Sequence, residues 1–260
     1  MSDTNEGYAK KAAFYDRVLT VYGRKPALEA LRDTSLDCHA LHLAHSNREA
    51  SIITDLRSLA RQRNVPVQEH SREALARISR NGKQDQGVAL DILCPGFKPL
   101  DTYLDDLGSS RPQRLLALDG ITNPQNLGML IRSSVAGGID GILWSKKGNA
   151  GLGPLVIKAS TGTLYRAPLL TCQNLAEALP RLQSQGAQIC TLAANASESL
   201  FDYRPATHCV YVLGNETDGV SAAVRQLADR ELSIPMQGQV ESLNVAVTAS
   251  LIAYAAYLAR

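Results

Sequence analysis

The sequence predicts an α/β protein of two domains, the second built on a parallel sheet. Three observations carry that expectation. Helical and strand-like stretches alternate over residues 17–94 and again from residue 114 onward. A stretch rich in proline and glycine, 95–113, separates the two series. In the second series, short apolar runs such as VYVL (210–213) end in glycine and polar residues, which is how a buried strand releases into a turn.

Taken in order, residues 1–16 begin with MSDTNEG and hold no sustained apolar period, so they are expected to be a disordered leader. The first domain, 17–94, opens with YGRKPALEAL (22–31), a loop followed by a helix that tolerates Pro26 in its first turn. A strand over 36–44, a helix over 49–64, a short strand over 65–67, a helix over 72–79 and a strand in DQGVALDI (85–92) complete it. Residues 95–113, PGFKPLDTYLDDLGSSRPQ, read as the linker to the second domain, 114–260. There RLLALDG (114–120) is a strand, 127–137 a helix, 141–144 a strand, 175–184 a helix and 187–192 a strand, an alternation that makes a parallel sheet with crossover helices. Strands are expected again at 210–213 and 232–236, where Pro235 pushes Ile234 to extended geometry. From Leu243 the period becomes helical through Val247, Leu251, Tyr254 and Leu258, with alanines between them. A buried terminal helix is expected, and its uncharged run is too short for a membrane span.

Composition narrows the class. With 45% hydrophobic and 20% charged residues in 260, the chain is of the soluble globular kind, not disordered or fibrous. The N-terminus lacks the apolar segment of an export signal, and five cysteines in no metal or disulfide spacing fit a reducing cytoplasm. The net charge of +2 does not by itself announce a nucleic-acid partner. Residues 57–83, however, carry Arg57, Arg61, Arg63, Arg72, Arg77, Arg80 and Lys83 against Glu69 and Glu73, a local excess of five that can meet several phosphates or be a solvated helical face.

Three stretches of the second domain carry the candidate chemistry: NPQNLGMLIRSSVAGG (123–138), LGNETDGVS (213–221) and SIPMQGQVESLNVAVTAS (233–250). In the first, Asn126, Gly128 and Arg132 sit at a strand-to-helix junction, where free amides and a guanidinium suit a phosphate; a helix cap at Asn126 and a surface ion pair at Arg132 are the bland alternative. In the second, Gly214 marks a close backbone approach, with Asn215 and Glu216 at the carboxyl end of a strand, where open α/β sheets bind ligands. In the third, Ser242 stands where it could cap the terminal helix.

These three stretches, in this order, resemble the motifs of the SpoU (TrmH-like) branch of the SPOUT RNA methyltransferases. The resemblance implies a parallel-sheet SPOUT domain with a deep trefoil knot, contrary to the general rule against knots. It implies S-adenosylmethionine as cofactor, held largely by main chain around Gly214, Ile234 and Leu243, with Leu213 and Met236 adjoining. It implies RNA as substrate and a homodimer whose active sites borrow from both subunits. The first domain resembles the L30e-like substrate-binding domain of the same proteins through YGRKPALEAL and QGV (86–88). A histidine usually precedes QGV in that subgroup and Asp85 stands here, which bears on substrate choice.

Methyl transfer to a ribose hydroxyl needs orientation and help with a proton but no covalent nucleophile, in keeping with motifs that contain neither cysteine nor histidine. Arg132 is always protonated and cannot be a base, so its expected role is to grip a phosphate and acidify the hydroxyl, with Asn126, Glu216, Ser242 and Asn244 completing the site. Ribosomal RNA guanosine is the first choice of substrate and tRNA the second. A catalytically silent RNA-binding or ribosome-assembly factor is a rival, which the intact motif residues oppose; a nucleotide-dependent oxidoreductase rests on fold analogy alone. GNAGLG (148–153) does not match a dinucleotide loop. His39, His42 and His45 cannot share a strand face, so no metal site is expected.

Overall fold

A computed structural model describes residues 13–48, 50–107, 111–238 and 240–258. The chain divides into two compact units, residues 1–95 with 152–154, and residues 96–151 with 155–260.

In the first unit, β1 (Val18–Tyr22), β2 (Asp37–Ala44), β3 (Val67–His70) and β4 (Val88–Leu93) form a sheet of order β1-β4-β2-β3, antiparallel except for the β2–β3 pair. Its helices are α1 (Arg24–Arg32), α2 (Ser51–Gln62) and α3 (Arg72–Ser79). Register places Leu19, Val21, Leu41, Leu43, Leu90 and Ile92 on one fully apolar face. The other face is divided. Leu75 of α3 covers Ala44 and Ala89, while a polar row crosses all four strands. Thr20 donates to Asp91 (2.6 Å), Asp91 meets His42 Nε2 (3.1 Å), and His42 Nδ1 meets His70 Nε2 (3.0 Å). A carboxylate only accepts, so His42 gives Asp91 its Nε2 proton and takes one from His70. The three spaced histidines thus go separate ways, since His45 binds Glu69 and His39 lies against Phe14.

Of the expected leader, residues 1–12 lie outside the described residues; residues 13–15 form a helical turn.

The second unit holds eight strands, all parallel, in the order β10-β12-β9-β11-β6-β7-β8-β5. They are β5 (Lys98–Pro99), β6 (Arg114–Asp119), β7 (Gly141–Ser145), β8 (Leu169–Cys172), β9 (Gln188–Leu192), β10 (Glu198–Ser199), β11 (Cys209–Gly214) and β12 (Arg230–Ser233). The helices are α4 (Leu100–Leu107), α5 (Pro124–Ala136), α6 (Pro154–Ala159), α7 (Leu175–Gln183), α8 (Ala222–Arg225) and α9 (Val245–Leu258). The stretch 95–113 is not a free linker: β5 joins this sheet, and Leu100 and Leu107 of α4 are buried in its core. All five cysteines are free thiols, with Cys190 and Cys209 touching across β9 and β11 at 3.5 Å.

The terminal helix reverses the expected faces. Ala246, Ala249, Ala253 and Ala255 point inward, whereas Val247, Tyr254 and Tyr257 are 48%, 43% and 49% exposed. Close approach explains this. A Cβ on Gly137, at the end of α5, would stand 2.5 Å from the Ala253 Cβ, so α9 meets α5 through its small residues. Among the described residues no helix is long and apolar enough to cross a membrane.

Candidate active site

The site is set by the pairing of β6 with β11. Their register runs Cys209↔Arg114 to Gly214↔Asp119, so the first two motif loops leave the same edge of a parallel sheet side by side. Asn215 spans them, its Nδ2 donating to the Gly120 carbonyl (2.8 Å), while the Ser221 amide donates to Asp119 Oδ2 (2.7 Å). Asn215 Oδ1 accepts from the Thr217 amide (2.8 Å), and the Asn215 and Gly219 backbones exchange two bonds of 3.0 and 2.9 Å. What approaches Gly214 is therefore the loop itself: a Cβ there would lie 2.1 Å from the Gly219 carbonyl carbon and 2.2 Å from the Val220 nitrogen.

At the β6–α5 junction the cap is Asn123, which accepts from the Gln125 and Asn126 amides (2.8 and 3.2 Å), with Pro124 following. That leaves the Asn126 side chain free to work. Its Nδ2 donates to Glu216 Oε1 and its Oδ1 accepts from Asn244 Nδ2 (3.2 Å). Asn244 Oδ1 in turn accepts from the Ala246 amide (2.9 Å), so Asn244, not Ser242, caps α9. The orientation of the whole chain of amides is forced by its end, since the carboxylate can only accept and each amide must turn its oxygen to the next donor. Ser242 is exposed, and its hydroxyl has no hydrogen-bond partner among the described residues.

β12 stops at Ser233, just ahead of Pro235, which has no N–H to give a ladder, and the chain continues outside the sheet. Among the residues expected around a cofactor, Leu213 is buried, Gly214, Ile234 and Met236 are half-buried, and Leu243 is 37% exposed. None of these lines the open hollow of about 500 Å³ formed by Asp218, Val220, Ser221, Ala222, Arg225 and Gln226.

Arg132 stands apart from Asn126. Arg132 is six helical steps on, about 9 Å along the axis and a third of a turn around it. Arg132 is exposed and shares the open side of α5 with Met129. It has no ion pair among the described residues, so the surface ion pair of the bland alternative is not formed.

Sequence reasoning missed the residues that hold the junction. Asn149, inside the rejected GNAGLG stretch, accepts from the Ile121 amide (2.7 Å) and donates to the Leu118 carbonyl (3.0 Å) and Ser145 Oγ (2.9 Å). Asn123 was findable: an Asn-Pro pair ahead of an apolar period is a helix start. Asn149 had no local signal.

In the first unit, YGR and QGV meet. The Gly23 amide donates to the Val88 carbonyl (3.0 Å), the Arg24 amide to Gln86 Oε1 (3.2 Å) and Asn47 Nδ2 to the Gly87 carbonyl (2.7 Å). Asp85 is buried beneath them, accepting from the Ser79 hydroxyl and the Gly87 amide (2.9 Å each), so it shapes this turn instead of facing solvent. The basic stretch is thinner than its count. Arg57 pairs with Glu69 (2.5 Å), and Arg63 binds the Leu31, Asp33 and Leu36 carbonyls at the end of α1. Arg61, Arg72, Arg77, Arg80 and Lys83 remain, all exposed.

Comparison with known proteins finds relatives across both units. The model of the SpoU rRNA Methylase family matches residues 113–254, and that for RNA 2′-O ribose methyltransferase substrate binding matches residues 20–93. An uncharacterized tRNA/rRNA methyltransferase of Mycobacterium ulcerans is 32% identical over 237 residues, covering 91% of this chain and 76% of that one. Its counterpart in Mycobacterium avium is 33% identical over 233 residues, with 90% and 75% covered. In fold, the chain is similar to the SpoU methyltransferase AviRb of Streptomyces viridochromogenes in complex with AdoMet, with a TM-score of 0.63 at 22% identity over 92% of this chain and 89% of that one. It is also similar to the AdoMet-bound rRNA methyltransferase of Sinorhizobium meliloti, at 0.59 and 21% over 95% and 89%. Motif order, parallel sheet and family match converge, and the chain belongs to the SpoU family of RNA methylases.

Proposed function

We propose that the protein is a cytoplasmic, S-adenosylmethionine-dependent RNA ribose 2′-O-methyltransferase acting on guanosine in ribosomal RNA. The observation that carries the reading is the convergence of Asn126, Glu216 and Asn244, one from each motif, at the carboxyl edge of a parallel sheet. The residues beside that convergence fit the cofactor. Half-buried Ile234 and Met236 and exposed Leu243 offer apolar contact to an adenosine, on chain that has left the sheet and has main-chain polar groups to give. When bound, the cofactor supplies a methyl group on a sulfonium. Everything else falls to the chain.

Arg132 holds the phosphate beside the acceptor ribose, where a fixed guanidinium lowers the hydroxyl pKa and a phosphate oxygen takes the proton. Asn126 and Glu216 fix the loops and orient the acceptor, and Ser242, exposed beside Asn244, is the free hydroxyl of the pocket.

The protein works as a homodimer in this reading. α9 is apolar along its length except for Thr248 and Ser250, yet Val247, Tyr254 and Tyr257 face out, and Met129 and Arg132 are exposed on α5, the helix it packs against. A helix of that kind is stable when covered. A second copy laid on this face excludes water from Arg132 and carries it toward the partner's site, which answers its distance from Asn126 within one copy.

tRNA is the second candidate substrate, because the mycobacterial relatives bear both names. Mapping 2′-O-methyl positions in rRNA and tRNA from cells with and without the gene tests the proposal. One rRNA guanosine should lose its mark; loss confined to tRNA would move the assignment, and no change in either would end it.

A further inference from the structure

The chain as a whole is almost neutral, with 27 basic against 25 acidic residues. Residues 141–176 depart sharply from that balance. They hold Lys146, Lys147, Lys158 and Arg166 and not one Asp or Glu. The four basic residues of this run all lie in the methylase unit, and the fold brings the run against the catalytic junction at two places.

The first is the loop after β7. Asn149 accepts from the Ile121 amide, and the Ala150 amide donates to the Ile121 carbonyl (2.8 Å), five residues before Asn126. The loop is fixed from within: Ser145 Oγ donates to the Lys147 carbonyl (2.8 Å), the Lys146 amide to the Cys172 carbonyl (2.9 Å) and Trp144 Nε1 to the Ala150 carbonyl (3.1 Å). Lys146 and Lys147 are exposed at its tip, with no ion-pair partner among the described residues. The second place is α6. A Cβ on Gly128, two residues after Asn126, would stand 2.5 Å from the Ala159 Cβ and 2.6 Å from the Val156 carbonyl, so the two helices touch there. Lys158, also exposed and unpaired among the described residues, is on that helix.

We infer that Lys146, Lys147 and Lys158 form a phosphate-binding rim of the methylase unit, which takes the single-stranded RNA backbone flanking the target nucleotide. A loop braced by hydrogen bonds presents its charges without first being ordered, and among the described residues no ion pair neutralises the three lysines. The rim gives position, not sequence choice, since phosphate contacts carry no base information. The inference rests on the proposed RNA substrate.

The test measures binding of the full-length protein to a mixed-sequence single-stranded RNA oligonucleotide over a series of salt concentrations. Replacing all three lysines by glutamine should make the plot of log affinity against log salt shallower by about 2, from roughly 0.7 per phosphate contact, and weaken binding more than tenfold at about 0.15 M salt. S-adenosylmethionine affinity, measured in parallel, should stay at the wild-type value, which also shows that the fold is intact. Lys98→Gln, which removes a lysine paired with Asp106 (3.5 Å), should keep the wild-type slope. A triple variant with the wild-type slope, or an equal change in Lys98→Gln, would overturn the rim. Wild-type protein that does not bind RNA would instead bring down the functional reading on which it rests.

Discussion

Asn126 joins two residues that lie 90 and 118 positions from it in sequence: it donates to Glu216 and accepts from Asn244. All three sit at the surface or half-buried, so these bonds add less than about 1 kcal/mol to stability, and their importance is geometric. Asn126→Asp keeps the shape but sets a carboxylate against Glu216. It should cut turnover about tenfold or more while the denaturation midpoint barely moves, and Glu216→Gln added to it should restore part of the loss. Additive losses in the double variant would mean the contact is not used.

Gly214 is predicted to be intolerant of any side chain. Even Gly214→Ala puts a methyl group within 2.1 Å of the Gly219 backbone, which cannot swing away as a side chain can. About 1–3 kcal/mol of stability should be lost, together with S-adenosylmethionine binding, because the loop must open. Urea denaturation with parallel calorimetry measures both. An alanine variant of wild-type stability would contradict the packing of this loop.

The outward face of α9 makes a second copy the expected partner. Val247→Glu combined with Tyr254→Glu should turn a dimer into a folded monomer, read by sedimentation and circular dichroism, with methyl transfer lost alongside. Full turnover by that monomer would show that each site is complete within one chain.

A pH dependence is expected from the polar row of the first unit. Burial, with His42 and His45 nearby, holds His70 below its ordinary 6.5. Burial would raise Asp91, but hydrogen bonds from His42 and Thr20 outweigh it and hold the carboxyl below 3.8. Both groups bind fewer protons folded than unfolded, so their stability is complete above those ordinary values and is lost as pH falls, first through His70 and then through Asp91. Between about pH 7.5 and 5 the thermal midpoint should drop, and His70→Gln should flatten that drop. A midpoint that rises on acidification would reverse the sign and refute the assignment.

Much of the fold was legible in local pattern, and the misses have physical causes. The helix at 72–79 and the strand at 141 were evident from periodicity and punctuation. The prolines and glycines of 95–113 mark a linker in the sequence, and the one short amphipathic turn between them, with Leu100, Tyr103, Leu104 and Leu107, becomes α4 because that stripe finds a core. α6, with six residues, is too short to show a period at all. The outward turn of the large side chains on α9 depended on Gly137 across the contact, which no pattern within α9 could reveal. The ordered motifs single out Asn126, Glu216 and Asn244 in the sequence. Their convergence belongs to sheet register, which brings distant loops to one edge, and so the capping role of Asn244 and the bracing by Asn149 came only with the structure.

Arg132 carries the heaviest chemical claim after the cofactor. Arg132→Ala should lower single-turnover methyl transfer on the order of a hundredfold, about 3 kcal/mol, with little change in S-adenosylmethionine affinity. Arg132→Lys should rescue poorly, since an ammonium keeps the charge but not the two-toothed grip on a phosphate. Near-normal turnover in the alanine variant would remove Arg132 from the mechanism.

The most direct test of the account is where the methyl group goes. Purified protein is incubated with methyl-labelled S-adenosylmethionine and rRNA, and the RNA is then hydrolysed with alkali. A 2′-O-methyl blocks cleavage at its own phosphodiester, so the account predicts label in alkali-resistant dinucleotides, appearing on the order of a hundredfold more slowly when Arg132→Ala replaces the wild type. Label recovered in mononucleotides, as a methylated base would leave it, would contradict the central claim.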